Sequence, residues 1–201
     1  MTHARRLPHF HQVGRPVFLT WRLAGSLPEN RHFSAGMLSG QAFVAMDRLL
    51  DRVQTGPRHL SRPEIANLVV DAIHFQARSL GHFELHHYVV MPNHVHLLVT
   101  PSVPVSKLTQ SLKRYTAREA NRQLGLSGQT FWQDESYDLL VRDQAEFDRI
   151  ASYIEWNPVR AALAAVPEVF PWSSAWPIGN RPQVSNLPHL TTEKPAGAYQ
   201  R

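Results

Sequence analysis

Apolar and polar residues alternate over VFLTWRL (17–23). Val17, Leu19, Trp21 and Leu23 share one face, and Phe18, Thr20 and Arg22 the other, as in a strand with one face on a core. A helical spacing runs from about Ser34 to Val53 through Phe43, Met46, Leu49 and Leu50, ending before the breaker TGP at 55–57. Ser61 is placed to cap the next helix, with Pro63 in its first turn and Glu64 three residues on. Ile65, Leu68, Val69, Ala72 and Ile73 form its apolar side, and Gly81 stops it. FELHHYVV (83–90) and HVHLLVT (94–100) predict two strands joined by the tight link MPN. Helical spacing returns from Val105 to Leu124, stopped at Gly125, and 127–141 reads as irregular to extended. Asp143 and Glu146 predict a capping box for a helix carrying Phe147, Ile150 and Ile154, with Pro158 interrupting it after Asn157 and a short continuation ending near Ala165.

Strand, helix, strand–strand, helix is an α+β order. It predicts a ferredoxin-like antiparallel sheet with helices on one face. Residues 1–178 are expected to form one domain. From 179 to 201 the chain is rich in Pro, Asn, Gln and Thr, and a flexible tail is expected. There is no internal repeat.

Composition narrows the function. No apolar run approaches the roughly 20 residues that span a bilayer, and MTHARRLPHF lacks a secretory apolar segment, so a cytoplasmic protein with no membrane partner is expected. The absence of cysteine excludes disulfides and thiolate metal sites. With 21 Lys+Arg against 16 Asp+Glu, the balance points to a polyanionic partner, nucleic acid first.

His94 and His96 carry the chemistry. At strand periodicity both project from one face, with Val95, Leu97 and Val99 on the other. Two neutral imidazoles about 7 Å apart at Cα can converge on one divalent ion. Two strand histidines facing solvent would explain this pair as simply, so a third ligand is needed. The helix 106–124 offers Glu119 one turn after Tyr115, beside a stripe of Lys107, Arg114, Arg118 and Arg122. An ordinary amphipathic helix with solvated arginines would look the same without the histidines. Together, however, a divalent cation on His94, His96 and Glu119 would polarise a phosphodiester while Tyr115 attacked it. A tyrosine has an unperturbed pKa of about 10, so the metal, a base or the Lys113/Arg114 field must assist.

VVMPNHVHLLV, SLKRYTAREANR, FWQDESYD, VRDQAEFDRIASYIEWNPVRAAL and PWSSA occur in that order within residues 8–176, after RPVFLTWRLAGSLP. This series resembles the single-tyrosine HUH transposases, and among them the REP-associated tyrosine transposase branch. The resemblance implies an HUH endonuclease fold. It also implies Mg²⁺- or Mn²⁺-dependent cleavage and strand transfer on single-stranded DNA, near imperfect-palindrome repeat hairpins, through a 5′-phosphotyrosine. It makes His94 and His96 the metal pair and Tyr115 the nucleophile. Glu119 stands four residues after that tyrosine, where relatives place a polar third ligand, often an amide, and His86 or Asn93 are alternatives. Tyr137, in ESYD, is a second candidate nucleophile. Arg5, Arg6, His9, His11, Arg15, Lys107, Lys113, Arg114, Arg118 and Arg122 are candidate DNA contacts, and Phe131 and Trp132 candidate stacking platforms. A monomer is favoured, with a dimer as the alternative.

Two other classes compete: a DNA-binding protein of this fold without turnover, and a metal-dependent hydrolase of small phosphates. The intact His, His, Tyr set speaks against the first. The lack of H-E-x-x-H, a P-loop or a dinucleotide fingerprint speaks against the second.

Overall fold

The structure is a computed structural model and describes residues 13–27 and 56–177. The helix expected at 34–53, the tail at 179–201, and Arg5, Arg6, His9 and His11 lie outside the described residues.

Strand β1 (Val17–Arg22) is followed by helix α1 (Pro63–Arg78), the hairpin β2 (Phe83–Val90) and β3 (His94–Pro101), helix α2 (Val105–Leu124), the short strand β4 (Tyr137–Leu140) and helix α3 (Gln144–Arg160). The four strands form one sheet in the order β2-β3-β1-β4, with every neighbouring pair antiparallel. That is the split βαβ, ferredoxin-like arrangement expected from the pattern. β3 and β1 occupy the interior of the sheet. Trp172, Ser173 and Ser174 run along the outer side of β2, where Val90 N–H donates to Trp172 O at 2.8 Å and so covers an otherwise unpaired edge.

Strand periodicity divides the core in two. Val17, Leu19, Trp21, Val95, Leu97 and Val99 point to the face covered by α1 and α2, where Ile65, Val69, Ile73, Leu108 and Leu112 pack. Phe18, Val89, Met91 and Leu98 point to the opposite face, which α3 covers with Ile154 and, partly buried, Phe147, Ile150 and Tyr153. Helices were expected on one face; α1 and α2 are there, and α3 adds a third layer. No described helix is long and apolar enough to cross a membrane.

Local differences have clear causes. Ser61 belongs to a preceding 3₁₀ turn (59–61), so α1 begins after Arg62 with Pro63 at its first position and no side-chain cap. Asp143 does cap α3: its Oδ1 accepts from Glu146 N–H at 2.8 Å, while the Glu146 carboxylate reaches past Asp143 to the Arg142 N–H, also 2.8 Å. Pro158 does not interrupt α3. It falls in the last turn, where a missing N–H costs one bond, and Ala161 N–H to Asn157 O (3.0 Å) and Leu163 N–H to Pro158 O (2.8 Å) close the end.

Candidate active site

Both histidines sit on the interior strand β3, fully buried, and face α3. Their Nε2 atoms are 3.1 Å apart. Two donors on one divalent ion with bonds of about 2.1 Å at near right angles stand about 3 Å apart, so the pair fits a shared cation. The outer nitrogens are held: Asn93 Oδ1 lies 2.7 Å from His94 Nδ1, and Thr20 Oγ1 lies 2.7 Å from His96 Nδ1. An amide oxygen only accepts, so His94 carries its proton on Nδ1 and presents an Nε2 lone pair inward, as a ligand must.

Two proton arrangements satisfy His96. With no cation, the Thr20 hydroxyl donates to Nδ1 and His96 Nε2–H donates to His94. With a cation, Nδ1–H donates to Thr20 and both Nε2 lone pairs face the ion.

The ring of His96 is sandwiched. Phe18 stacks on it at 5.5 Å between centroids, and Tyr153 of α3 meets it at a 64° angle and 5.7 Å. Phe147 meets His86, whose Nε2 lies 2.8 Å from Thr100 Oγ1, so α3 descends from the Thr100 end of β3 towards His96. The next turn carries Asn157, 1% exposed and on the same helix side as Tyr153, towards the His94 end. The Arg160 guanidinium lies 4.9 Å from the Tyr153 ring centre. Arg22 pairs directly across from His94 and therefore shares its face. Burial lowers its pKa, partly offset by Glu135, and its Nη1 donates to Ser26 Oγ at 3.3 Å.

Tyr115 and Glu119, the residues assigned with the histidines from sequence, are not brought to them. They lie on α2, which covers the opposite face of the sheet. Tyr115 packs against the α1/α2 core. Burial pushes its phenol pKa up, and Glu119 and Asp71 push it further than Arg118 and Arg122 pull it back. Both Glu119 oxygens are taken, by Arg118 Nε at 2.9 Å and Arg122 Nε at 3.1 Å. Burial raises the Glu119 pKa, but these two guanidinium groups outweigh it and hold the carboxyl below its ordinary value. The physical reason is parity: Leu108 and Leu112 seek the Val95–Leu97–Val99 face, and that face is the one the imidazoles avoid.

The other assignments divide. Tyr137 is on the histidine side but two strands from His96, because Thr20 stands between them in register. That is about 10 Å of sheet. Lys107, Arg114, Arg118 and Arg122 are exposed on α2, across the sheet from the pair. Lys113 ties α2 to the segment before β4, donating to Gln133 O at 2.6 Å and Asp134 O at 2.9 Å. Arg15 is exposed, with Nη2 3.4 Å from Val141 O. Phe131 and Trp132 are core residues, 4% exposed each, with Trp132 Nε1 donating to Thr116 Oγ1 at 2.9 Å, so neither is open to a base. Among the described residues no group of three His, Cys, Asp or Glu is placed to hold a metal.

Residues 59–157 match the family model described as "Transposase IS200 like". Over that segment the chain is similar to the IS200-like transposases. Its fold is also that of a solved REP-associated tyrosine transposase bound to a REP hairpin: 18% identity, TM-score 0.53, with 93% of this chain and 95% of that one covered. A candidate transposase from Deinococcus radiodurans R1 aligns at 20% identity and a TM-score of 0.41, over 78% of this chain and 98% of that one. No curated protein matches the sequence. The sequence pattern did not single out Thr20, Arg22 or Tyr153, which the structure sets beside the histidines, nor Asn157 one turn further along α3. The signal was present: Tyr153 and Asn157 have the same four-residue spacing as Tyr115 and Glu119, with an amide second.

Proposed function

We propose that this protein is a metal-dependent single-stranded DNA endonuclease and strand transferase, cleaving beside repeat hairpins with Tyr153 as nucleophile. The observation that carries the reading is the contact of the Tyr153 ring with His96, on the face where the two Nε2 atoms converge at 3.1 Å. His94 and His96 would hold Mg²⁺ or Mn²⁺, with the Asn157 amide oxygen as a third donor of the hard type such ions take. Bound there, the ion would polarise the scissile phosphodiester.

The chain's own groups do the rest. The Tyr153 oxygen forms the bond to phosphorus and the P–O3′ bond breaks. The proton lost by the phenol balances the one gained by the departing 3′-oxygen. The resulting 5′-phosphotyrosine keeps the phosphoryl group activated for rejoining to another 3′-hydroxyl. Arg22 beside His94 and Arg160 over Tyr153 supply positive charge where the phosphate must sit. All these residues come from one chain, so a monomer suffices.

The test is a labelled hairpin oligonucleotide with Mn²⁺, scored for a denaturant-resistant protein–DNA adduct. The adduct is expected with the native protein and lost in Tyr153→Phe, His94→Ala and His96→Ala. An adduct that survives Tyr153→Phe and disappears in Tyr115→Phe would overturn the assignment.

A further inference from the structure

One edge of α3 lines up two residues that the cleavage chemistry does not use, Arg149 and Trp156, with two that it does, Tyr153 and Arg160. Arg149, Tyr153, Trp156 and Arg160 follow each other at steps of four, three and four residues. At 3.6 residues per turn they fall within an arc of about 60°, along about 16 Å of helix. Arg149 and Arg160 are exposed at the two ends. Trp156 is 45% exposed, an indole left in solvent beside the tyrosine that meets His96. A single exposed tryptophan is unremarkable on a protein surface; its company is what distinguishes this one. One α3 carboxylate, Glu146, lies close enough to Arg149 to feel its charge, but its oxygens are already bound by Arg142. Asp148 and Glu155 lie on the other flank, where Glu155 takes His87 Nδ1 at 3.0 Å. Glu146, in the first turn, is buried and engaged by Arg142 at 2.9 Å.

We propose that this edge is a binding rail for the unpaired DNA strand next to the cleavage point, with Trp156 stacking on a base and Arg149 and Arg160 meeting the flanking phosphates. Alternating cations and π-faces are how proteins hold single strands without reading sequence, and a duplex stem, whose bases are already stacked, gains nothing from Trp156. The rail rests on the functional reading above and supplies its missing element, a path that leads an unpaired strand across Tyr153.

The experiment measures fluorescence anisotropy of two labelled oligonucleotides, a blunt hairpin and the same hairpin with an unpaired flank, against the full chain. Trp156→Ala is expected to weaken binding of the flanked hairpin by roughly 5- to 150-fold, the span seen for base–aromatic stacking, and to change the blunt hairpin less than about twofold. Trp156→Phe should restore most of the loss. Arg149→Ala should lower the salt dependence for the flanked hairpin by about 0.7 in log–log slope, one single-strand phosphate's worth. Equal losses on both hairpins, or none on either, would overturn the rail. Failure of the catalytic reading is separable from these results. If the native protein forms no tyrosine adduct yet discriminates the two hairpins through Trp156, the rail stands and the chemistry falls. If the adduct forms through Tyr153 and Trp156→Ala binds both hairpins normally, only the rail falls.

Discussion

Replacing Thr20 by Val tests whether the β1 hydroxyl sets the state of His96. The substitution keeps the branched shape and the strand preference of β1, and removes the one hydrogen bond between Thr20 Oγ1 and His96 Nδ1, 2.7 Å long between groups 2% and 0% exposed. In either proton arrangement the buried His96 Nδ1 loses its Thr20 partner. That costs about 1–3 kcal/mol. For a domain of this size each kcal/mol moves Tm by about 2–4 °C, so a drop of roughly 2–12 °C is expected in the metal-free protein. The second effect falls on the proposed cation. Outer partners that fix a ligating imidazole typically contribute 10- to 100-fold in metal affinity, so Mn²⁺ titration by calorimetry should show a dissociation constant raised by about that factor. Phe18 and Tyr153 still hold the ring plane, and the His94–Asn93 bond is untouched, so binding should weaken without vanishing. A Thr20→Val protein with unchanged Tm and unchanged Mn²⁺ affinity would refute the reasoning.

Tyr115→Phe should leave adduct formation within about twofold of the native protein, read on the same denaturing gel as Tyr153→Phe. Glu146 gives a pH prediction: hydrogen bonds from Arg142 hold its carboxyl below the ordinary value despite burial. A depressed folded-state pKa gives stability that is present above the unfolded value of about 4.3 and lost as pH falls through the depressed one. Thermal melts should therefore fall on acidification below that point, and Glu146→Gln, less stable at pH 7, should converge on the native curve in acid. Lys113→Met should lower Tm, because it removes two charge-assisted bonds to Gln133 and Asp134 carbonyls worth about 1–3 kcal/mol together. Its effect on the salt dependence of DNA binding should be small, since that ammonium is already spoken for.

The strands and helices flanking the site were legible because their signals are local. The period-two pattern placed 17–23, 83–90 and 94–100 within a residue of the observed strands, and helical spacing placed α2 at its observed ends. The alternation also put both imidazoles on one side. What local pattern does not encode is which helix covers which side. Tyr115–Glu119 and Tyr153–Asn157 are alike as one-turn pairs, and the choice between them depends on tertiary packing: Leu108 and Leu112 take α2 to the aliphatic side of β3, whereas Ile154 and Phe147 take α3 to the side of Phe18 and Leu98. Asn157 was further disguised by Pro158, which marks a helix end in most contexts and here lies within the final turn. Thr20 carried no signal, because a hydrogen bond to the back of an imidazole leaves no periodicity, and Asn93 stood out as a candidate ligand whereas its Oδ1 lies on His94 Nδ1.

The three-residue link Met91–Asn93 fixes more than the length of a hairpin. Inserting or deleting one residue there would invert the parity of β3, turning Val95, Leu97 and Val99 towards Tyr153 and driving two imidazoles among the leucines of α2. Each of those three side chains is 0% exposed, and displacing one costs about 1.5–3 kcal/mol, so the slip would consume most of the 5–15 kcal/mol that holds a typical domain together. Folding and chemistry here are therefore read from the same frame of odd and even positions. Change of that kind is filtered by stability before activity is ever sampled, and the site can drift only by substitution, never by shift.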